Sequence, residues 1–266
     1  MLYDNPIAVF DSGVGSLSII KEIRREIPSE NVLYFADKSH FPYGKKSYGE
    51  LKQLITNNIK YLERFNPKLI VIASNTPSIQ FLQELKSVTK IPLLGVKPRL
   101  KEAVSLTKKK HIGIMATYAT INSSQLDLLI RKEVPQNIFV TKFNASHIID
   151  IIESGIQHYE SEDIFNILTK TLGEDVDSFI DVILLSSTHL PFVRLYLNEL
   201  FPTIKLVDPS KIITKEIKQL LKNQIGIKKT GDGNLKIIVS SQKKEFQETL
   251  RYLGIKENIE EIFLSY

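Results

Sequence analysis

The stretch Val182–Pro191 constrains the fold of this chain more than any other. Its first four residues are all apolar, which is typical of a strand buried on both faces in a parallel sheet. Pro191 prevents further strand pairing. Ligands of open α/β sheets bind beyond the carboxyl ends of the strands, so the polar residues here predict a binding site. These polar residues are Ser186, Ser187, Thr188 and His189.

A second strand with a polar end lies upstream in the chain. The apolar run Leu69–Ala73 is followed by Ser74, Asn75 and Thr76. Two such strand ends in one chain predict two sides of a single site.

Predicted strands alternate with amphipathic helices along the whole sequence. This alternation implies right-handed βαβ crossovers and mainly parallel sheets, so the predicted fold class is α/β. Further strands are predicted at Pro6–Phe10, Asn31–Ala36, Ile91–Val96, Asn137–Thr141, Lys205–Pro209 and Lys236–Ser240. Helices are predicted at Leu17–Ile27, Ser47–Phe65, Ser146–Ile156 and Lys243–Arg251, with another ending at Leu221.

The pattern of the first strand and helix recurs in the middle of the chain. Pro6–Gly15 and His111–Thr120 both run from an apolar strand through a turn of small residues into a helix. In this register Ser12 corresponds to Thr117 and Gly15 to Thr120. Together with the two polar strand ends, the repeat predicts two similar α/β domains with an active-site cleft between them. Chance similarity of two βα units is the alternative.

The turn after the first strand has the composition of a ligand-binding turn. Its glycines permit close approach of the backbone to a ligand, although βα turns also use glycine for structural reasons. Asp11 and Ser12 are more informative, because they place a carboxylate and a hydroxyl at the carboxyl end of a strand. By contrast, Pro42–Gly44 has ordinary turn chemistry, which predicts a surface loop.

Charge and composition narrow the classes of partner. Lys and Arg number 35 against 30 Asp and Glu, a formal net charge of +5. The basic run Lys108–Lys110 is short and the other basic residues alternate with Glu, which favours a solvated surface over nucleic-acid binding. A mild positive field also favours a small anionic substrate.

The same composition bears on the location of the protein. No apolar run is long enough to span a bilayer, and no charged-then-apolar leader opens the chain, so we expect a cytoplasmic protein. The sequence has no Cys, which excludes disulfides, thiolate metal sites and a Cys nucleophile.

Five motifs in this order resemble the glutamate/aspartate racemase family, most closely its glutamate racemases. The resemblance covers nearly the whole chain. The motifs are Ile7–Gly15, Phe41–Gly44, Ser74–Thr76, Ala116–Ser123, and Ser187–His189 with Pro191.

The resemblance implies two α/β domains, of which the first is discontinuous. The expected boundaries are 1–97 plus 208–266 for the first domain and 98–207 for the second. It also implies cofactor-independent chemistry, with neither PLP nor a metal ion. In this family two cysteines face each other across the substrate α-carbon, one removing the proton and the other returning one.

The resemblance also assigns roles to individual residues. The family's two cysteines align with Ser74 and Ser187. Asp11, His189 and Glu153 correspond to residues that assist the proton transfers. The substrate-contacting set corresponds to Ser12, Pro42, Tyr43, Gly44, Asn75, Thr76, Thr117, Thr120 and Thr188. On the residues alone, Thr117 and Thr120 are equally well explained as helix caps.

Serine is a poor substitute for cysteine in this chemistry. A thiol titrates near pH ~8.5, whereas a serine hydroxyl is a weaker acid than even tyrosine at about 10. Forming a serine alkoxide as the base would therefore cost several pK units, each worth about 1.4 kcal/mol, or tenfold in rate. Transfer of the proton through serine to His189, Asp11 or Glu153 would have to work on both faces of the substrate.

Smaller departures from the family occur near the same positions. Ser186 stands where the family prefers Gly, Leu190 where it prefers Tyr, and Lys97–Arg99 where it has Glu-Pro. These changes favour a natural Cys-free member over an engineered one, and they leave the identity of the substrate open.

Three hypotheses follow for the function. The preferred one is a glutamate-racemase-like protein that binds glutamate or aspartate, with racemisation impaired or lost. The second is a working or engineered-inactive racemase that supplies D-glutamate. The third is another enzyme, a lyase or hydrolase using Ser187, His189 and Glu153, although no Gly-x-Ser-x-Gly motif occurs.

An interaction protein is the least favoured alternative, because the ligand-type polar residues are largely retained. Apart from the acidic amino acid, we expect no nucleic-acid or membrane partner, no cofactor and no metal ion, and we expect a homodimer.

Overall fold

The computed structural model describes residues 4–228 and 230–263. The chain divides into two compact units. Unit 1 comprises Met1–Val96 together with Ser210–Tyr266, and unit 2 comprises Lys97–Pro209. Unit 1 is therefore built from both ends of the sequence.

The described residues form ten strands. In chain order they are β1 Ile7–Asp11, β2 Val32–Ala36, β3 Leu69–Ile72, β4 Leu93–Gly95, β5 His111–Ala116, β6 Phe139–Asn144, β7 Val182–Leu185, β8 Lys205–Val207, β9 Leu235–Val239 and β10 Ile259–Glu261.

Helices connect these strands. They are α1 Leu17–Glu26, α2 Tyr48–Glu63, α3 Asn75–Leu85, α4 Leu100–Leu106, α5 Tyr118–Ile121, α6 Ser124–Glu133, α7 Ser146–Gly155, α8 Ser161–Leu172, α9 Val176–Phe179, α10 Arg194–Leu200, α11 Pro209–Leu220 and α12 Lys243–Tyr252. Short 3-10 turns lie at Val14–Ser16, Lys38–His40, Tyr43–Lys45, Ile156–His158 and Leu190–Val193, and a π turn lies at Leu221–Ile225.

Each unit contains one parallel sheet, as the alternation of strands and helices predicts. Over the described residues, unit 1 has the strand order β10-β9-β2-β1-β3-β4 and unit 2 the order β6-β5-β7-β8. Every strand pair in both sheets is parallel. The predicted class of two α/β domains with parallel sheets is confirmed.

The two sheets share one topology. The order β2-β1-β3-β4 in unit 1 repeats as β6-β5-β7-β8 in unit 2. The residue that follows the third strand of each unit makes the same hydrogen bond. The Ala73 N–H donates to the Phe10 carbonyl in unit 1, and the Ser186 N–H donates to the Met115 carbonyl in unit 2, each at 2.8 Å. Residues 10 and 115 are equivalent in the sequence repeat. Ser74 and Ser187 therefore occupy equivalent positions, one in each unit.

Burial explains why these strands form the core of each unit. All five residues of β1 and all four of β7 are buried, as expected for strands covered by helices on both faces. Two elements are shorter than predicted, β4 at its start and α7 at its end, and a Pro or a Gly explains each difference. The strand predicted to begin at Ile91 begins at Leu93, because Pro92 has no N–H for pairing. Helix α7 ends at Gly155, which adopts φ +105°.

The segment from Lys228 to β9 is held against the rest of unit 1, near the amino ends of strands β2 and β3. Glu30 and Lys68 form an ion pair of 2.5 Å with both side chains fully buried. Glu30 Oε1 also accepts the Lys228 N–H at 2.7 Å. A Cβ on Gly233 would lie 1.9 Å from the Glu30 carbonyl oxygen, so only glycine permits this approach. Strand β9 then pairs with β2 along its whole length.

The described helices include none that is both long enough and apolar enough to cross a membrane.

Candidate active-site residues

In unit 2, three predicted residues form one hydrogen-bonded series. Ser187 and His189 follow β7, and Glu153 lies on α7. His189 Nε2 lies 2.8 Å from Glu153 Oε2, and His189 Nδ1 lies 3.5 Å from Ser187 Oγ. All three side chains are more than nine-tenths buried. The structure therefore joins a hydroxyl, an imidazole and a carboxylate.

The geometry assigns a direction to the hydrogen bonds in this series. A carboxylate only accepts, so in the neutral imidazole Nε2–H donates to Glu153 and Nδ1 is the acceptor. Ser187 Oγ accepts the backbone N–H of His189 at 3.4 Å, which leaves the hydroxyl hydrogen to donate to Nδ1. In this tautomer Nδ1 can accept a proton from Ser187, and Glu153 is placed beside the imidazolium that would result.

In unit 1, Ser74 has quite different surroundings. It is the N-cap residue of α3, directly after β3, but its side chain does not accept a capping hydrogen bond. No other residue in the described part of the chain hydrogen-bonds to its hydroxyl. The exposed fraction of Ser74 is intermediate.

The neighbouring Asn75 is an unusual buried residue. Only 6 % of it is exposed, and both its Oδ1 and Nδ2 are buried without a hydrogen-bond partner in the residues described. Buried polar groups in native proteins are almost always hydrogen-bonded, so an amide of this kind needs a partner from outside the described residues, either water or a ligand. The adjacent Thr76 is also buried.

Asp11 and Ser12 lie at the carboxyl end of β1, as predicted. Both are buried, and the Ser12 N–H donates to Asp11 Oδ1 at 2.7 Å. The backbone carbonyl of Asp11 accepts the Asp37 N–H at 2.8 Å, which joins the ends of β1 and β2.

The Pro42–Gly44 segment is not an ordinary surface loop. The Tyr43 side chain is buried, with 2 % exposed, while Pro42 and Gly44 are half-buried. The Tyr43 hydroxyl donates to Asp37 Oδ2 at 3.0 Å. The prediction of a surface loop from turn chemistry is therefore wrong for Tyr43, because this hydrogen bond satisfies its hydroxyl inside the protein.

Asp37 is a residue that the sequence analysis missed. It is fully buried. Its carboxylate accepts hydrogen bonds from the Tyr43 hydroxyl, from Asn58 Nδ2 at 2.9 Å and from Ser240 Oγ at 3.3 Å. His40 Nδ1 also lies 2.7 Å from Asp37 Oδ1. The signal was available, because Asp37 directly follows an apolar strand as Asp11 does. Its partners could not be found this way, since they come from α2, from the residue after β9 and from the segment between β2 and α2.

The three remaining threonines lie in unit 2. Thr117 is the N-cap of α5, where its Oγ1 accepts the Thr120 N–H at 3.3 Å and donates to Thr120 Oγ1 at 3.0 Å. The capping explanation thus accounts for Thr117, while Thr120 and Thr188 are buried. Thr188 lies between Ser187 and His189 at the end of β7.

Comparison with known proteins places this chain among related sequences. The family model described as Asp/Glu/Hydantoin racemase matches residues 10–217. A glutamate racemase of Clostridium perfringens is 32% identical over 255 residues, covering 95% of this chain and 97% of that protein.

Solved structures agree with the sequence matches. A crystal structure of glutamate racemase from Francisella tularensis in complex with D-glutamate has a TM-score of 0.82 and 28% identity, covering 98% of each chain. A glutamate racemase of Escherichia coli, in complex with L-glutamate and the activator UDP-MurNAc-ala, has a TM-score of 0.85 and 26% identity, covering 97% of this chain and 98% of that one. On these matches, the chain belongs to the Asp/Glu/Hydantoin racemase family.

Proposed function

We propose that this protein binds an acidic amino acid, glutamate or aspartate, and that its cofactor-independent racemisation is impaired or lost. In this proposal the residues at the Ser74 and Ser187 strand ends contribute to binding. Family membership and the D-glutamate and L-glutamate held by the two similar racemases support the choice of ligand.

The observation that carries the proposal is the buried amide of Asn75. Its Nδ2 can donate to a carboxylate and its Oδ1 can accept from an ammonium group. A free amino acid offers both groups on one carbon. Binding would therefore satisfy the two polar atoms that have no partner among the described residues. The proposed set also includes Ser12, Pro42, Tyr43, Gly44, Thr76, Thr117, Thr120 and Thr188.

The lack of cysteine supports the loss of racemisation. Two-base inversion needs a proton acceptor on one face of the α-carbon and a donor on the other. A thiol near pKa ~8.5 provides both forms at neutral pH, whereas a serine hydroxyl does not. In the proposed mechanism His189 and Glu153 assist Ser187, and Asp11 assists Ser74.

Calorimetric titration tests the ligand. We expect heat of binding and a thermal shift with at least one enantiomer of glutamate or aspartate at millimolar concentration. Asn75→Leu should abolish both signals, because it removes the donor and the acceptor at once while keeping the side-chain volume. Absence of any signal from the wild-type protein with all four compounds would refute the proposal.

One observation favours a second candidate, a hydrolase or lyase centred on Ser187. The Ser187–His189–Glu153 series has the order of groups found in serine hydrolases. A fluorophosphonate probe would label Ser187 in such an enzyme, and Ser187→Ala would not be labelled. An unlabelled wild-type protein would exclude this candidate.

We propose further that the protein is a cytoplasmic homodimer. This rests on its family resemblance and, for location, on the sequence pattern. Light scattering on the purified protein tests the dimer, and a mass of about one chain would contradict it.

A further inference from the structure

We propose that unit 2 binds single-stranded nucleic acid on a strip of three aromatic rings, with the bases stacked on the rings and the phosphates on neighbouring lysines. The aromatic strip consists of His111, Phe139 and Phe179, and the basic run Lys108–Lys110 lies beside it. The strip is at the amino ends of β5 and β6, whereas Ser187 follows the carboxyl end of β7 in the same sheet. This surface is thus separate from the candidate active-site residues, and its role does not depend on the proposed function.

The aromatic strip is a continuous row of fixed rings. The centroid of the His111 ring lies 5.8 Å from that of Phe139 and 5.3 Å from that of Phe179. His111 and Phe139 are register partners in the parallel pair β5–β6, so the sheet itself sets their contact. His111 Nε2 also lies 2.8 Å from Thr141 Oγ1, which orients the imidazole. The rings are therefore in place before any partner binds.

The two phenylalanines are unusually exposed for residues that touch a common ring. Phe139 is 71 % exposed and Phe179 is 43 % exposed. Single exposed apolar residues are normal, but a contiguous exposed patch marks an interaction site. The strip is such a patch, because each phenylalanine ring packs on His111 and turns its remaining surface to solvent.

The basic run is fixed beside the strip by its backbone. The N–H groups of Lys108 and Lys109 donate to Asp181 Oδ2 at 2.6 and 3.0 Å. The Lys110 carbonyl accepts the Phe139 N–H at 2.8 Å, which joins the run directly to the strip. The side chains of Lys108 and Lys110 are exposed and form no ion pair with residues 4–228 or 230–263. Their ammonium groups are available to an anionic partner.

Nearby carboxylates do not cancel this positive charge. The Asp181 carboxylate is held by the Thr107 hydroxyl and by the backbone of the run, so it faces the chain. Asp177 lies on α9 next to Lys109, whose Nζ donates to the Asp177 carbonyl. Lys205 at the start of β8 is exposed and adds a fourth lysine, since its N–H donates to the Asp181 carbonyl at 2.9 Å. The lysines therefore outnumber these two carboxylates.

Rings and charge together favour single-stranded nucleic acid over other partners. Every base has a π-face that stacks on aromatic side chains, and lysines neutralise the phosphates between bases. A second copy of the chain is disfavoured, because a two-fold contact would bring two basic runs together. A membrane surface is disfavoured, because peripheral membrane binding uses a helix with a wide apolar face. The strip comes instead from two strands and the end of the four-residue helix α9.

The fold supplies the part of this surface that the sequence does not reveal. On the sequence alone the basic run is short and favours a solvated surface. Phe139 and Phe179 are distant from the run in sequence, and only the sheet and α9 bring their rings to His111.

Fluorescence anisotropy tests the proposal. Fluorescein-labelled oligouridylate and oligothymidylate of about twelve nucleotides are titrated with the wild-type protein at about 50 mM and about 200 mM salt. We expect at least one to bind, and to bind more weakly at the higher salt concentration. Tighter binding of the first identifies RNA as the partner, and tighter binding of the second identifies DNA. Absence of binding to both at about 100 μM protein would overturn the proposal.

Variants separate stacking from charge. Phe139→Leu keeps an apolar side chain but removes the ring, and should weaken binding about 5- to 100-fold, the usual effect of one stacked base. The control Leu195→Ala changes a more exposed apolar residue on α10 and should leave the affinity unchanged. Equal affinities in Phe139→Leu and Leu195→Ala would overturn the proposal.

The lysines are tested by the dependence on salt. Lys108→Gln with Lys110→Gln should weaken binding and reduce the slope of log affinity against log salt by about 0.7 for each lost phosphate contact. The control pair Lys211→Gln with Lys215→Gln changes two exposed lysines of α11 and should leave the slope unchanged. Equal slopes in the two double variants would contradict a phosphate contact at the basic run.

A tryptophan in the strip reports stacking directly. The sequence has no Trp, so Phe139→Trp provides a single tryptophan signal. This variant keeps an aromatic face and should keep most of the affinity, and a base stacked on it should quench its fluorescence in step with the anisotropy change. Binding without any change in tryptophan fluorescence would overturn the proposal.

Two measurements test the other partners. Vesicles of phosphatidylserine and phosphatidylcholine test a membrane surface, and light scattering over a range of protein concentrations tests a second copy. Vesicle binding or self-association that Phe139→Leu abolishes, in a protein that binds neither oligonucleotide, would overturn the proposal in favour of that partner. Circular dichroism identifies any variant that fails to fold.

Discussion

The two units place the same strand end in different chemical surroundings. Ser74 and Ser187 are equivalent by strand order and by the hydrogen bond of the preceding residue to the central strand. Ser187 nonetheless contacts a histidine that is hydrogen-bonded to a buried glutamate, whereas Ser74 adjoins Asn75, whose amide has no hydrogen-bond partner among the described residues. The repeated scaffold thus fixes where a group stands, and the residues beside it decide whether it can move a proton.

Helices α7 and α2 occupy corresponding places in the two units, and they contribute different side chains. Helix α7 follows the second strand of unit 2 and supplies Glu153 to His189. Helix α2 follows the second strand of unit 1 and supplies Asn58, whose amide donates to Asp37 and to the Tyr43 hydroxyl. One helix therefore supports a possible base, while the other supports a closed network inside unit 1.

The largest effect should come from making the two strand ends alike. Replacing both serines with cysteine (Ser74→Cys with Ser187→Cys) should raise racemisation by on the order of a hundredfold or more, because a thiolate is accessible at neutral pH on both faces. Circular dichroism of glutamate and aspartate over time measures it. Thiol and hydroxyl are similar in size, so the fold should tolerate the change.

The single variants sharpen this comparison. Each single variant, Ser74→Cys or Ser187→Cys, should give much less inversion than the double variant, because two-base inversion needs a proton acceptor on one face of the α-carbon and a donor on the other. A double variant that binds glutamate yet neither exchanges nor inverts it would contradict the proposed mechanism at both strand ends.

Substitution of the buried asparagines Asn58 and Asn75 of unit 1 should change the free energy of unfolding by smaller amounts and in opposite directions. Asn58→Leu should destabilise the protein by about 1–3 kcal/mol, because it leaves the Asp37 carboxylate short of a donor. Asn75→Leu should stabilise the ligand-free protein by about 1 kcal/mol, because it removes an unpaired buried amide at constant volume. Urea unfolding measures both changes, and a similar loss of stability in both variants would show that Asn75 is satisfied in the folded protein.

The smallest effect concerns Asp181, at the amino end of the same β7 that carries Ser187 at its other end. Partial burial raises the pKa of its carboxyl, but hydrogen bonds from the Thr107 hydroxyl and the N–H groups of Lys108 and Lys109 outweigh this, so the pKa lies below its ordinary value. A depressed pKa stabilises the fold above the ordinary value near ~3.9, and the contribution is lost as the pH falls through the folded value.

Asp181→Asn should therefore lower the free energy of unfolding by less than about 1 kcal/mol at pH 7, after allowance for solvent screening. The difference from the wild type should shrink as the pH falls below ~4, and it should vanish once the pH is below the depressed folded-state pKa, where the carboxyl is protonated in both states. Urea unfolding between pH 3 and 7 measures this, with the exposed Glu174→Gln as a control. A difference that persists unchanged at acid pH would rule out the ionised carboxylate as its source.

Sequence patterns predicted most of the strands because their signal is local. The apolar runs ending at Asp11, Ser74 and Ser187 each became a buried parallel strand. Short elements without a strong apolar period, such as β10 and α9, were not predicted. The order of strands in each sheet could not be predicted from the sequence either. Parallel neighbours are joined by long crossover connections, and no local sequence pattern indicates which strands they bring together.

Among the site residues too, contacts between residues close in sequence were predictable and long-range contacts were not. Proximity in sequence brought Ser187 and His189 together, so their contact was predictable from spacing. Glu153 lies 36 residues from His189, and only the folded structure brings their side chains to 2.8 Å. Asp37 was missed as a centre of hydrogen bonding for this reason, since Ser240 is 203 residues away from it.

The return of the C-terminal segment to unit 1 has a consequence for synthesis of the chain. Unit 2 is continuous and leaves the ribosome before Leu235–Val239 exists, so all the residues of its sheet are available early. Strand β2 must wait for β9, which is about two hundred residues further along the chain. With translation at about 5–20 residues per second, that edge of β2 stays unpaired for on the order of ten seconds or more. During that interval the nascent chain presents an open, apolar strand edge, the kind of edge that can pair with another chain.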